Sequence, residues 1–464
     1  KRVVGMKQYE TYKQVKSSIY KEAPITWNKY RVKDTVDKNT YYPVGDGDHG
    51  SIKPEMYQEE GIPYIRVQNL TWHGEIPTDG IVCISEEVQL ANKKSILYPG
   101  DILIAKTGAT IGKLGLIPEH IKEANTTSSV GKLTVDKARF NPKYILYCFQ
   151  SRALQDQIWL EASQKSAQPG FNIDDLIVFE FLAPDLNEQS KIVEFLDHQT
   201  SIIDQLIQQK EKLIELLKEK RQSVINEAIT TGINPNAKTK ESGINWLGAI
   251  PQTWNLVQIR RLNTKVGSGV TPKGGAEVYT EEGIIFIRSQ NVHFDGLRLD
   301  DVVRIDYDTH EKMSGSKVQY KDVLLNITGA SIGRCCVVDI HDEMNVNQHV
   351  CIIRPTQRIL PEYLNLVLQS NIGQGQVKLG TTGGNREGLT FEAIKEFTIP
   401  LPSLAEQQAI LSKVQSSLKQ YYELENLNAN QIDKFKEYRQ SIIAEAVTGQ
   451  IDVRNWQPNK KQVA

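Results

Sequence analysis

The chain is one unit written twice, and that duplication limits its architecture more than any other feature. An ordered series of signals between Pro24 and Gly232 returns, about 220 positions later, between Pro251 and Gly449. Pro24-Ile25-Thr26-Trp27 returns as Pro251-Gln252-Thr253-Trp254. Tyr64-Ile65-Arg66-Val67-Gln68-Asn69 returns as Phe286-Ile287-Arg288-Ser289-Gln290-Asn291. Gly100-Asp101-Ile102-Leu103-Ile104 with Thr107-Gly108-Ala109-Thr110-Ile111-Gly112-Lys113 matches Asp322-Val323-Leu324-Leu325 with Thr328-Gly329-Ala330-Ser331-Ile332-Gly333-Arg334. Short apolar runs followed by glycines predict buried strands ending in turns. Pro142 and Pro361 each stand where a helix starts, and Gln150-Ser151 and Gln369-Ser370 end those segments. Each half therefore mixes strands and helices.

Both halves close alike. A proline-flanked strand, near Pro184 or Pro400 to Pro402, leads to Glu188-Gln189 or Glu406-Gln407 and a long run free of glycine and proline. In the first run Ile192, Phe195, Ile202, Leu206, Leu213, Leu216 and Leu217 step mostly by three and four. Ile410, Val414, Leu418, Tyr421, Ile432, Phe435, Tyr438 and Ile442 repeat the pattern. Such spacing predicts a coiled-coil seam, and Arg221-Gln222-Ser223 returns as Arg439-Gln440-Ser441. A run of this length makes a helix on the order of 65 Å, beyond the needs of one compact domain. The only other stripe of this kind is in the second repeat, so the two helices are expected to pair antiparallel as a spacer, with a pseudo-two-fold axis relating two globular heads. The fold class is α+β.

The expected organisation is an N-terminal segment 1–23, a first recognition domain 24–185, a first spacer helix 186–232 and a linker 233–250. A second recognition domain 251–403, a second spacer helix 404–449 and a tail 450–464 follow. Lys1–Gly5 precede Met6 and are read as the remnant of an expression tag, and Met6–Ala23 as an extension of the helical region.

Composition narrows the function classes. With 39% hydrophobic and 24% charged residues the chain has the profile of a folded globular protein. No run approaches the length of a spanning helix, and Lys1–Glu10 has no apolar signal core, so a cytoplasmic location is expected. Cys83, Cys148, Cys335, Cys336 and Cys351 contain no CxxC pair and read as reduced core thiols. The net charge of −1 leaves any nucleic-acid surface to local patches.

Two heads alternating with two similar long helices, Gly243-Ile244-Asn245-Trp246-Leu247-Gly248-Ala249-Ile250-Pro251 with Trp254, the strand and Thr-Gly-Ala turn blocks, and the Arg-Gln-Ser helix ends resemble type I restriction-modification specificity subunits across nearly the whole chain. The resemblance implies a non-catalytic subunit whose heads, as target recognition domains, each read half of a split double-stranded DNA site. Its helices would set the spacing and dock two methyltransferase subunits, with restriction subunits joining the complex. It also implies that S-adenosylmethionine, ATP and magnesium belong to those partners, that the complex makes N6-methyladenine and cleaves DNA with ATP, and that this chain holds no cofactor.

Base reading needs Arg or Lys for guanine and Asn or Gln for adenine, with further basic groups for phosphates. The candidates are Arg66, Gln68, Asn69, Lys106, Lys113, Lys165 and Gln168 in the first head. In the second they are Arg288, Gln290, Asn291, Arg334, Asn385 and Arg386. Gln68-Asn69 and Gln290-Asn291 also fit ordinary turn residues, because both heads share them. Residues that differ between heads can read different bases, which favours 164–168 against 382–386 and an asymmetric target.

Other chemistry finds little support. Asn141-Pro142-Lys143-Tyr144 resembles the Asn-Pro-Pro-Tyr element of adenine methyltransferases but lacks the second proline, and its repeat reads Leu360-Pro361-Glu362-Tyr363. Gly267-Ser268-Gly269 with Gly274-Gly275 lacks the Gly-Lys-Ser/Thr ending of a phosphate loop. Pro184-Asp185 lacks the Glu-x-Lys of a nuclease, and His341 and His349 lack a metal-binding context. A self-contained adenine methyltransferase and a coiled-coil scaffold without DNA specificity are the alternative readings. The first demands binding of S-adenosylmethionine by this chain alone, and the second a salt-insensitive association.

Overall fold

The computed structural model describes residues 7–164, 169–234, 236–244, 246–272, 274–381 and 388–458. The chain forms two compact units. One joins the residues up to Gln209 with those from Gln431 onward, and the other is Lys210–Asn430. The division passes through both long helices, Leu186–Thr230 of 45 residues and Leu404–Val447 of 44, so each unit holds one head and one half of each helix.

The first head contains two four-stranded sheets. In one, the strands run in the order Val82–Ile84, Ile62–Ile65, Ala124–Thr126, Ile96–Leu97. In the other, the order is Val44–Asp46, Val130–Leu133, Ile102–Ala105, Leu114–Leu116. The second head repeats both orders, with Val303–Ile305, Ile284–Ile287, Met344–Val346, Lys317–Val318 and with Asn263–Ser268, Val350–Pro355, Val323–Asn326, Cys335–Val337. The shared apolar block forms the strands at the centre of this repeat. Ile102, Leu103 and Ile104 are wholly buried, and each contributes roughly 2 kcal/mol by leaving water. Helices Pro142–Gln150 and Pro361–Gln369 begin at the matched prolines, where the missing N–H costs nothing.

Each head's core continues into the half-helices beside it. Trp27, Phe149, Ile192, Phe195, Ile442 and Ile443 belong to one buried cluster, and Trp254, Leu364, Ile225, Ile410 and Val414 to its counterpart. The helices are therefore built into the heads as well as joining them. Their pairing is antiparallel, because Asp204 meets Arg439 while Arg221 meets Glu425. The matched Arg-Gln-Ser arginines are thus interhelical clamps. Arg439, only 5% exposed, donates to Asp204 through Nε at 3.0 Å and to Gln150 Oε1 through Nη1 at 3.4 Å. Arg221 Nε lies 3.3 Å from Glu425 Oε1, and its guanidinium covers the Tyr422 ring.

Three expectations need correction. Of the segment Met6–Ala23 expected to extend the helical region, the described part from Lys7 does not, since Tyr12–Gln14 and Glu22–Pro24 pair as a hairpin. The linker carries the matching hairpin, Thr239–Glu241 with Ala249–Pro251. In the seam, Leu213, Leu216 and Tyr438 are exposed at 40%, 51% and 40%, while Ile203 and Ile225 are buried instead. Among the cysteines Cys83 is only half-buried; the other four are buried, and burial pushes the Cys336 and Cys351 thiols up to about 12. No helix among the described residues is long and apolar enough to cross a membrane.

Candidate nucleic-acid interface

Strand register gathers the polar turns of each head on one edge. In the first head the parallel strands Ile62–Ile65 and Ala124–Thr126 finish together, with Thr126 opposite Ile65. Val44–Asp46 finishes opposite Gly131 and Ile102–Ala105 opposite Val130. The turns at 47–51, 66–69, 106–113 and 127–129 therefore leave from the same side. Backbone bonds tie them together, from Asp48 N to Thr126 O at 3.1 Å and from Lys106 N to Ser129 O at 2.9 Å. Thr107 also bridges to Gly170, which bounds the segment after the helix Arg152–Ser163.

The second head builds the same edge. Ile287 lies opposite Val346, Ser268 opposite Cys351 and Asn326 opposite Val350. Gly269 N donates to Asn347 O at 3.1 Å, Ile327 N to His349 O at 3.0 Å, and Thr328 bridges Gly388. Glycine is required where the turns meet: a Cβ on Gly47 would lie 2.1 Å from Thr126 O, and one on Gly269 1.6 Å from Val346 O.

The candidate residues occupy this edge in different ways. Asn69 and Asn291 are buried, at 4% and 2% exposed. Each side-chain oxygen accepts from the backbone N of Arg66 or Arg288, at 2.9 and 3.0 Å, and each amide nitrogen donates to a backbone carbonyl, of Gly80 or Arg298. Within the structure these asparagines close the turn that both heads share. Lys106 is likewise engaged within the head. It is 5% exposed and paired with Asp46, which His49 also contacts at 3.0 Å.

Arg66 and Arg288 are half-buried. Their Nη2 atoms donate to Gly80 O at 3.2 Å and Asp301 O at 3.3 Å, and their guanidinium planes lie near Tyr57 and Tyr279. Lys113 and Arg334 are half-buried, while Gln68 and Gln290 are exposed. Lys165, Gln168, Asn385 and Arg386 lie outside the described residues.

One part of the edge escaped the sequence reading. Thr127-Ser128-Ser129 in the first head stands where Asn347-Gln348-His349 stands in the second, and this contrast was visible in the aligned repeats. The methyltransferase-like segment has a structural role. Asn141 Oδ1 accepts from Lys143 N at 3.0 Å, capping the helix, and the buried Tyr144 hydroxyl donates to Leu182 O at 2.8 Å. His341 stacks on Tyr320 with ring centres 3.9 Å apart.

Comparison with known proteins identifies the family. The family model described as the type I restriction modification DNA specificity domain matches residues 24–216 and 251–434. The type I restriction enzyme EcoBI specificity subunit of Escherichia coli is 28% identical over 414 residues, covering 85% of this chain and 81% of that protein. The type I restriction enzyme MjaVIII specificity subunit of Methanocaldococcus jannaschii is 25% identical over 417 residues, covering 87% and 90%. A solved chain described under complex assembly and conformational transition of the type I R-M system has a TM-score of 0.68 at 16% identity, covering 92% of this chain and 99% of that one, which shows a shared fold. Matched in both of its halves, the chain belongs to the type I restriction modification DNA specificity family.

Proposed function

We propose that the chain reads double-stranded DNA through its two edges, one for each half of a split and asymmetric target, and performs no chemistry itself. The observation that carries this reading is an edge built twice on the same scaffold, with different polar residues on its exposed turns. Gln68, Gln290, Lys113 and Arg334 would contact bases or phosphates, with Arg66 and Arg288 beside them. Lys165, Gln168, Asn385 and Arg386 are assigned to base reading because they differ between the heads. The paired helices would fix the spacing and dock two methyltransferase subunits in the cytoplasm, with restriction subunits joining through that complex. S-adenosylmethionine, ATP and magnesium would be held by the partners.

Phosphate contacts release counterions, so the logarithm of affinity should fall linearly with that of salt, by about 0.9 per phosphate contacted. Titrating the chain, with its methyltransferase partner, onto duplex DNA at several salt concentrations measures that slope. A steep slope supports the proposal, and salt-insensitive binding would favour a protein scaffold that ignores DNA.

A further inference from the structure

The turn between strands Met344–Val346 and Val350–Pro355 holds an arrangement that the first head lacks. The imidazole of His349 is engaged at both nitrogens, with Nδ1 2.5 Å from Thr328 Oγ1 and Nε2 2.9 Å from Gln348 Nε2. Asn347 N donates to Ile287 O and His349 O accepts from Ile327 N, each at 3.0 Å, so the turn is held on both sides, and Asn347 Oδ1 accepts from His349 N at 3.1 Å within it. Gln348 itself is exposed.

A carboxamide offers two N–H donors and one oxygen acceptor. With one hydrogen directed at the imidazole, the oxygen and the other hydrogen remain. That pair complements the N6 amino group and N7 of adenine in the major groove. A side chain already held in place also loses less rotamer freedom on binding. The matched turn of the first head, Thr127-Ser128-Ser129, has neither amide nor imidazole.

We infer that Gln348 reads an adenine in the half-site of the second head, with His349 and Thr328 as positioning residues. This assignment rests on the edges being the DNA interface.

The test is selection from a random duplex library by the chain assembled with its methyltransferase partner, comparing wild type with Gln348→Ala, Gln348→Ser and His349→Ala. Serine is the residue the first head carries at this turn, so that variant suits the backbone. Preference for one adenine, in one half of the motif, should fall roughly 10- to 100-fold in both Gln348 variants, with the other half unchanged. His349→Ala should relax the same position by a smaller factor, with an unchanged thermal midpoint. An unchanged motif, a uniform loss across all sequences, or relaxation at a base other than adenine would overturn the assignment. A wild-type complex that selects no motif overturns the edge reading itself, and this assignment with it.

Discussion

Replacing Arg439 by alanine removes a buried cation from the junction of the two half-helices and the first head. The guanidinium reaches Asp204 through Nε at 3.0 Å and Nη2 at 3.4 Å, and Gln150 through Nη1 at 3.4 Å. Breaking a buried pair typically costs 3–5 kcal/mol because the surviving charge is stranded. Here the Asp204 side chain is 35% exposed against 6% for Arg439, so water can recover part of the carboxylate's solvation. The expected loss is therefore lower, about 2–3 kcal/mol. Replacing both members by apolar residues, Arg439→Met with Asp204→Leu, strands no charge and should return to within about 1 kcal/mol of wild type. Urea unfolding followed by circular dichroism reads both values, with the transition of the first unit fitted separately because two units need not unfold as one. A loss under about 0.5 kcal/mol for the single variant, or a double variant as unstable as the single, would refute the buried-clamp argument.

Lys132 is wholly buried, with Nζ donating to Ile96 O at 2.6 Å, and burial holds its pKa below the usual lysine value against the opposing pull of Asp101. Between the lowered folded value and the unfolded one, the unfolded chain binds more protons, so stability should rise with pH in that alkaline window. Lys132→Ile, which installs the residue that the second head carries as Ile352, should abolish the rise in urea midpoints measured from pH 7 to 10; a persisting slope contradicts the assignment. The glycines ending the long helices have nearly equal φ, +71° at Gly449 and +72° at Gly232, but a Cβ would lie 2.5 Å from Pro24 Cδ in the first case and 3.0 Å from Trp254 Cζ2 in the second. Alanine at either should cost on the order of 1–2 kcal/mol for the left-handed backbone, with a further loss at Gly449 from the proline ring. Thermal melts that rank Gly232→Ala as the worse variant would refute the contact argument.

The duplication, the helix starts at Pro142 and Pro361 and the two long helices were legible because proline, glycine and 3.6-residue periodicity act locally. The sheet orders were not. Strands of two to six residues buried on both faces show no alternation, and their pairing is fixed by contacts distant in sequence. The seam was misread at Leu213 and Leu216 for a related reason. Each helix changes from one unit to the other along its length, so a single stripe extrapolated through the middle ran past the end of the buried face.

At the edge, motif and role separated. Arg66-Val67-Gln68-Asn69 and its repeat were found as a pair, yet their being shared pointed to the turn that Asn69 and Asn291 close from within. Lys106 was indistinguishable in sequence from an exposed lysine, because Asp46 lies sixty positions away. Gln348 and His349 could have been found by asking where the aligned heads differ.

Two different heads reading two different half-sites leave a distinct methylation pattern, mapped genome-wide in a methylation-free host that carries this chain and the methyltransferase subunit proposed to dock on it, with and without replacement of residues 24–185 by the matching domain of a relative. The expected result is a split motif with unlike halves and a fixed gap, and a replacement that changes one half alone. A continuous motif, a palindrome, or a replacement that alters both halves would contradict it.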